Sequence, residues 1–178
     1  MARIELLKVE EMNQEQRQQY DEFPSNLARG LLVTKNLSKG YGALGTALRF
    51  TDLSANDREF VIVRVGFLSG SAYELMQHKT LAMLQGWTEE DIKAVADNNI
   101  SYFDDRMATI LQFVNECVER VKVSNEVFAR TRNFLTDSEI AELTLLIGHY
   151  MMTARFLETL EIDLDSKPTS WENVELKK

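Results

Sequence analysis

Apolar side chains recur along this chain at helical spacing, and almost nowhere at the alternating spacing of a strand. The clearest stripe lies within residues 104–121 and consists of Met107, Ile110, Leu111, Val114 and Val118. The sequence has 178 residues with only 2 prolines and 8 glycines, which leaves few of the turns that an all-β fold requires. These patterns predict an all-α protein.

Capping residues place the starts of several helices. The residues suited to an N-cap are Ser54, Thr88, Ser124 and Thr136. The predicted helices cover residues 10–23, 26–37, 54–68, 72–85, 104–121, 124–134 and 136–160, with a short helix after Thr88. The segment that follows residue 37 contains Gly40, Gly42 and Gly45, so it is either a close-packed helix or an irregular turn.

The most apolar segment, residues 60–68, is hydrophobic nearly all round, which is typical of a buried helix. Its β-branched residues also suit a strand, but its length and its lack of alternation favour a helix. The sequence Ser69-Gly70-Ser71 then breaks the pattern, so this helix and the next form a hairpin. A helix that is apolar on every side needs cover on every side, and we therefore expect a homo-oligomer.

Charge and cysteine content narrow the range of partners. The formal net charge of −8 repels nucleic acid phosphates and anionic membranes, so neither partner is expected. The first residues are too charged for a signal peptide, and no apolar run is long enough to span a bilayer. Cys117 is the only cysteine, so no intrachain disulfide can form. We expect a cytoplasmic protein that acts on a small molecule.

Three regions are expected along the chain. Residues 1–23 contain a polar, peripheral helix that ends at Pro24, because proline cannot continue a helical ladder. Residues 24–164 form one domain. Residues 165–178 form a charged C-terminal tail.

Titratable side chains cluster around the predicted hairpin. Ser71, Glu74 and His78 share one helix face, because they are separated by three and then four residues. Glu59 lies in the preceding apolar helix. One histidine and two acids in one hairpin are suited to proton transfer.

Each of these residues also has a purely structural explanation. His78 can be a surface histidine paired with Glu74, and Glu59 can be a half-exposed acid in a first helical turn. Ser71 can be an N-cap, with Glu74 completing a capping box. His149 lies in an apolar helix, where a buried, hydrogen-bonded histidine is expected, and it can also contribute to the site.

Metal and cofactor signals are weak. Glu74 and His78 have the spacing of metal ligands, but the chain has only 2 histidines, so no metal site is expected. No phosphate loop or dinucleotide fingerprint occurs, so no cofactor is expected.

The order of these residues resembles a known family. The residues that carry the resemblance are Arg58-Glu59, Gly70-Ser71-Ala72-Tyr73-Glu74, His78, Gly86, Glu142-Leu143-x-x-Leu146-Ile147-Gly148-His149-Tyr150 and Ala154-Arg155. Over residues 24–164 the chain is similar to the carboxymuconolactone decarboxylase family of the alkylhydroperoxidase D-like superfamily. The resemblance implies an all-α helical bundle with a core helix hairpin, assembled as trimers or hexamers.

The resemblance implies two kinds of enzyme. One branch relays protons and electrons through a Glu, a Cys-x-x-Cys pair and a His, and here Ser71 and Glu74 stand at the two cysteine positions. Without the pair, a self-contained dithiol peroxidase is excluded. The other branch lacks the pair, and it implies cofactor-free decarboxylation, or a related proton transfer, on a small carboxylated lactone or enol.

The resemblance also implies roles for individual residues. His78 is the leading general acid–base, and Glu59 orients it or carries a second proton. Glu74 and Tyr73 are donors or positioning groups. The residues implied in substrate binding are Ser71, Arg58 and His149. The alternatives are a peroxidase-like antioxidant protein that depends on an external thiol, and a non-enzymatic oligomer that binds a small ligand.

Overall fold

The computed structural model describes residues 1–169, and within them the chain is all-helical, with no strand. The α-helices of this part are α1 (Gln14–Glu22), α2 (Asn26–Leu31), α3 (Leu37–Ala47), α4 (Ala55–Ser69), α5 (Ala72–Leu84), α6 (Glu89–Ala96), α7 (Asp105–Arg120), α8 (Asn125–Thr131) and α9 (Asp137–Thr159). Short 3₁₀ helices add Val9–Glu11 and Ile100–Tyr102. The predicted fold class is confirmed.

Helix α4 lies at the centre of the bundle. Its residues 60–66 are all buried, and α5, α6, α7 and α9 pack around it. Burying a Val, Ile or Phe side chain stabilises the fold by about 1.5–3 kcal/mol, so this helix anchors the core. Residues 60–66 are thus covered by the chain itself, while Phe67 and Leu68 are only partly buried. The burial of these residues within one chain gives no evidence for a second subunit, and the expected homo-oligomer stays a prediction.

A tight turn joins α4 to α5. Gly70 ends α4 with a φ of 63°, a left-handed conformation that glycine adopts without steric cost. The Ser71 N–H then donates to the Gly66 carbonyl at 3.0 Å, which closes the turn. The turn sends α5 back along α4, so that residues 19 positions apart face each other.

Three predicted helices are shorter than the sequence pattern indicated, and the first of them, α1, begins at Gln14 instead of residue 10. Helix α2 ends at Leu31, where the Thr34 hydroxyl donates to the Leu31 carbonyl at 2.7 Å and competes with the helical ladder. Helix α8 ends at Thr131 instead of residue 134. The glycine-containing segment left open between helix and turn is helix α3, and it buries none of its residues.

The two ends of the described chain meet near α5. Leu27, Tyr73, Leu157 and Ile162 form a small apolar cluster there, and Asp165 accepts a hydrogen bond from the Asn26 N–H at 2.8 Å. Helix α1 buries none of its residues, which agrees with a peripheral position. The expected three-region division stays a prediction, and residues 170–178 of the tail lie outside the described residues. No helix in residues 1–169 has the length and apolar character needed to cross a bilayer.

Candidate functional site

The α4–α5 hairpin brings Glu59 and His78 into direct contact. Glu59 lies in the second turn of α4, and His78 lies near the middle of α5. Their side chains are joined by a 2.8 Å hydrogen bond between Glu59 Oε2 and His78 Nδ1. The two residues are only 4% and 6% exposed, so neither is the surface acid or surface histidine of the structural explanations.

Glu74 approaches the opposite side of the same imidazole. Ser71 caps α5 by accepting from the Glu74 backbone N–H, but the Glu74 side chain does not turn back to complete a capping box. Its Oε2 instead lies 3.5 Å from His78 Nε2. The capping box of the structural explanation is therefore absent, and a buried row of carboxylate, imidazole and carboxylate takes its place.

The two carboxyl groups have opposite proton affinities. Burial alone would raise the pKa of Glu59, but the charges and hydrogen bonds of His78 and Arg58 outweigh it and hold this pKa below its ordinary value. Burial raises the pKa of Glu74 to about 7, against the opposing effect of His78 and with help from Glu59 and Glu158. Near neutral pH, Glu59 is an anion while Glu74 keeps a proton for much of the time.

This difference assigns the protons along the row. Because ionised Glu59 can only accept, His78 Nδ1 carries a hydrogen and donates it. His78 Nε2 faces Glu74 Oε2 across 3.5 Å, so the proton of this contact is carried either by the carboxyl group or by the imidazole. One exchangeable proton lies between Glu74 and His78.

Arg58, which was expected to bind substrate, lies against Glu59. Its Nε is 3.4 Å from Glu59 Oε1, and its Nη1 is 3.4 Å from the Arg49 carbonyl oxygen. Both oxygens of Glu59 are thus held, one by His78 and one by Arg58. This geometry favours a positioning role for Arg58.

Helix α9 supplies a third side to the site. The Tyr150 ring packs edge-on against the His78 imidazole, with centroids 5.0 Å apart, and His149 lies 5.3 Å from Tyr150. Burial raises the pKa of Tyr150 well above its ordinary value, and the charges of Glu59 and Glu74 add to the shift. Burial lowers the pKa of His149 to about 4, and His78 adds to the shift, so His149 is neutral at pH 7.

Helix α3 covers this side of the site with a tyrosine. The Tyr41 ring lies 4.7 Å from the His149 ring, and the Tyr41 hydroxyl is 2.6 Å from Thr153 Oγ1. Thr153 already donates its hydrogen to the His149 carbonyl oxygen at 2.9 Å. Tyr41 is therefore the donor in its contact with Thr153.

Two expected site residues lie elsewhere. Tyr73 is on another face of α5, five residues from His78, and its hydroxyl accepts from the Leu27 N–H at 3.2 Å and donates to Asp165. The structure does not bring Tyr73 to the imidazole. Ser71 is fully buried in the cap of α5, where its hydroxyl has a structural role that accounts for its position.

Three residues near the row were not among the predicted site residues. They are Tyr41, Tyr150 and Arg49. The charge of Glu59 acts on Arg49, and the charge of Arg49 acts on Tyr150. Tyr150 follows His149 directly in an apolar helix, and this proximity was the available signal. Within residues 1–169, no group of three or more His, Cys, Asp or Glu side chains is arranged to hold a metal ion.

Sequence comparison decides the family of the central segment. Residues 36–116, a little under half of the chain, match the model of the carboxymuconolactone decarboxylase family. This segment belongs to the carboxymuconolactone decarboxylase family. The matched residues include all of α3, α4 and α5, and therefore the row of Glu59, His78 and Glu74. No curated protein matches the sequence.

Several solved structures match the fold over most of the chain. A peroxidase-related protein with an alkylhydroperoxidase AhpD core, from Ralstonia eutropha JMP134, is 16% identical with a TM-score of 0.81, covering 93% of this chain and 93% of that one. A peroxidase-related protein from Silicibacter sp. TM1040 is 15% identical with a TM-score of 0.74, covering 92% and 89%. A variant of the debrominase Bmp8 in complex with 2,3,4-tribromopyrrole is 12% identical with a TM-score of 0.74, covering 93% and 95%. At these identities the likeness shows the alkylhydroperoxidase D-like fold.

Proposed function

We propose that this member of the carboxymuconolactone decarboxylase family catalyses cofactor-free decarboxylation, or a related proton transfer, on a small carboxylated lactone or enol. The observation that carries the proposal is the buried row of Glu59, His78 and Glu74, in which both carboxyl groups contact one imidazole. The pKa of Glu59 is lowered and that of Glu74 is raised to about 7. Paired acids with separated pKa values are the usual basis of acid–base catalysis near neutral pH.

The proposed reaction begins with loss of CO₂ from a carboxylated butenolide. The bond between the ring carbon and the carboxylate breaks, and its electron pair moves through the ring alkene into the lactone carbonyl. The resulting dienolate oxygen needs a hydrogen-bond donor, and the protonated Tyr150 hydroxyl is suited to this task. The ring carbon then needs a proton. No oxidant or reductant takes part.

The proton comes from the contact between Glu74 and His78. Glu74 donates it to the ring carbon, and His78 Nε2 holds the Glu74 carboxyl in place and returns a proton to it from solvent. Glu59, held by Arg58, keeps the imidazole in the required tautomer and orientation. Glu59 and Arg58 are positioning residues in this scheme, while Glu74 is the acid.

Two alternatives remain as different classes of function. An antioxidant protein that depends on an external thiol would use Cys117, but this half-buried thiol lies on α7 and burial raises its pKa, which disfavours the reactive thiolate. A non-enzymatic ligand-binding oligomer would need only the aromatic side chains of α9, His149 and Tyr150, and no proton transfer. The debrominase complex holds a small flat ring, and we propose a ligand of similar size here.

A screen of carboxylated butenolides and enol acids tests the proposal directly. We expect CO₂ release together with one deuterium incorporated into the product when the reaction is run in D₂O. Saturable thermal stabilisation by these compounds without CO₂ release would favour the ligand-binding alternative. Peroxide loss that requires an added thiol would favour the antioxidant alternative.

We expect Cys117→Ser to leave any peroxide consumption of the protein unchanged. Cys117 is the only cysteine, so it cannot form the internal disulfide of a dithiol enzyme. The measurement is peroxide consumption with and without dithiothreitol, beside the wild-type protein at equal concentration. Rapid consumption that disappears in Cys117→Ser would point to a one-cysteine mechanism instead.

We expect a homo-oligomer, and the outer face of α9 is the surface we propose for it. Leu145 and Met152 are 60% and 47% exposed, and Gly148 lies between them on the same stripe. Exposed apolar residues grouped on one helix face are typical of an interface. Light scattering at micromolar concentration should show an oligomer for the wild type and a smaller species for the double variant Leu145→Glu, Met152→Glu. The control Leu84→Glu, at an exposed site on α5, should remain oligomeric.

A further inference from the structure

Helix α3 contacts the site through Tyr41 without being packed into the core. None of its eleven residues is buried, and its apolar residues Leu37 and Leu44 remain exposed. Three of the eleven are glycines, the poorest helix formers after proline. A helix with few buried contacts and low intrinsic propensity opens at low free-energy cost compared with the core helices.

The Tyr41 side chain nevertheless has a well-defined position within the site. Its ring lies over the His149 ring at 4.7 Å with a tilt of 32°, in the range of aromatic contacts. Its hydroxyl donates to Thr153 Oγ1 at 2.6 Å. Tyr41 thus presents a planar ring with one hydroxyl to an aromatic wall and one acceptor.

His149, which lies against the Tyr41 ring, has a side-chain nitrogen without a hydrogen-bond partner among the described residues. The residue is 5% exposed, and its Nδ1 is buried with no hydrogen-bond partner in the described residues. Such orphaned buried groups are rare in native proteins, because each costs the desolvation of a polar atom. At its other nitrogen, a Cβ on Gly45 would lie only 3.5 Å from His149 Nε2, so α3 passes the ring closely there. The His149 side chain is suited to contact a polar group that Tyr41 does not supply.

We propose that Tyr41 occupies a ring-binding subsite of its own protein, and that a planar hydroxylated or enolic ring displaces it. In the bound state the ligand ring lies on His149, its hydroxyl donates to Thr153 Oγ1, and a second polar group meets His149 Nδ1. Helix α3 moves outward with Tyr41. That this ligand is the substrate rests on the proposed function, whereas the subsite itself does not.

In this arrangement Tyr41 competes with the ligand for the subsite, so the affinity for the ligand depends on Tyr41. In the wild type, the apparent affinity is reduced by the fraction of molecules in which Tyr41 fills the subsite. Tyr41→Ala removes the competitor, and the fold should persist because α3 buries no residue. The suitable probe is p-cresol, which is the tyrosine side chain itself.

Calorimetric titration with p-cresol gives the first test. We expect Tyr41→Ala to bind p-cresol at least about tenfold more tightly than the wild type. The control Tyr102→Ala removes a tyrosine that is 41% exposed, and it should bind p-cresol as the wild type does.

Hydrogen exchange separates displacement from the filling of an artificial cavity. Saturating p-cresol should increase amide exchange in α3 of the wild type and leave α4 and α5 unchanged. No p-cresol binding by the wild type at millimolar concentration, or binding with unchanged exchange in α3, would overturn the proposal.

Toluene and Thr153→Val test the chemical class of the ligand. In Tyr41→Ala, p-cresol should bind about fivefold more tightly than toluene, the value of one ordinary hydrogen bond. Adding Thr153→Val, which keeps the side-chain shape but lacks the acceptor, should remove most of this preference. Equal binding of the two probes in Tyr41→Ala would contradict a hydroxylated or enolic ligand. These measurements need no turnover, so a failed screen for decarboxylation leaves their outcome unaffected.

Discussion

His78→Ala is expected to lower turnover of a carboxylated butenolide by about 10²–10⁴-fold, the usual contribution of a positioned acid–base group. This corresponds to roughly 3–5 kcal/mol of activation free energy. The cause is the central position of the imidazole, which contacts Glu59 through Nδ1 and Glu74 through Nε2. His78→Gln should be damaged nearly as much, because an amide forms hydrogen bonds but cannot pass a proton along the row.

A stability measurement must accompany this experiment, because His78 is buried. Truncation removes the partner of Glu59 Oε2 and leaves only Arg58 on this buried carboxylate, which destabilises the fold. Turnover should therefore be expressed per folded molecule, with melting temperatures measured beside it. Thr80→Ala, at an exposed position on the same helix, is the matched control and should retain full turnover. Equal activity per folded molecule in His78→Ala and the wild type would remove His78 from the mechanism.

Glu74→Gln should have the second largest effect, and it should also change the pH profile. If Glu74 donates the proton, wild-type turnover falls as the pH rises through about 7, where Glu74 loses it. Glu74→Gln cannot donate, so turnover should drop by about 10²-fold or more, and this limb of the profile should disappear. Glu158→Gln removes a negative charge that raises the pKa of Glu74, and it should move the wild-type midpoint to lower pH.

The same carboxyl group makes stability depend on pH in a defined direction. The folded pKa of about 7 lies above the ordinary value of 4.5, so the folded protein keeps a proton that the unfolded chain loses between these values. The contribution of Glu74 is complete below pH 4.5 and decreases as the pH rises towards 7 and beyond. The loss at pH 8 is on the order of 3 kcal/mol.

Denaturation at two pH values tests this linkage. Between pH 5 and pH 8, the wild type should lose more unfolding free energy than Glu74→Gln, whose neutral amide does not titrate. Identical pH dependence in the two proteins would show that Glu74 is ionised throughout this range. The acid in the proposed mechanism would then have to be sought elsewhere.

The sequence predicted helices well where tertiary packing reinforces local pattern. The stripe of α7 and the capping box at Thr136 lie in the helices expected from them. Helix α4 was assigned correctly despite its β-branched residues, because its length and uninterrupted apolar pattern outweighed their strand propensity. Helix α2 was predicted too long. The Thr34 hydroxyl bonds to the Leu31 carbonyl and competes there with the backbone hydrogen bonds of the helix, which apolar spacing does not reveal.

The site was only partly predictable, because burial and side-chain direction depend on distant elements. Spacing placed Glu74 and His78 on one helix face, but the burial of Glu59 required α9 to pack across the hairpin. Tyr73 was grouped with His78 by its position in the motif, although five residues of helix turn it towards Leu27. Tyr41 could not be found this way, since its partner Thr153 is 112 residues away.

The Tyr41 ring on His149 also affects how ligand binding to this protein would appear in a calorimeter. A ligand that replaces Tyr41 buries apolar surface of its own while the tyrosine returns a similar area to water. Heat-capacity change follows the net apolar area buried, so the wild type should show a value near zero. In Tyr41→Ala nothing is returned to water, and the same ligand should give a clearly negative heat-capacity change. Binding to the native protein is then an exchange of one ring for another, and the binding enthalpy should be almost independent of temperature.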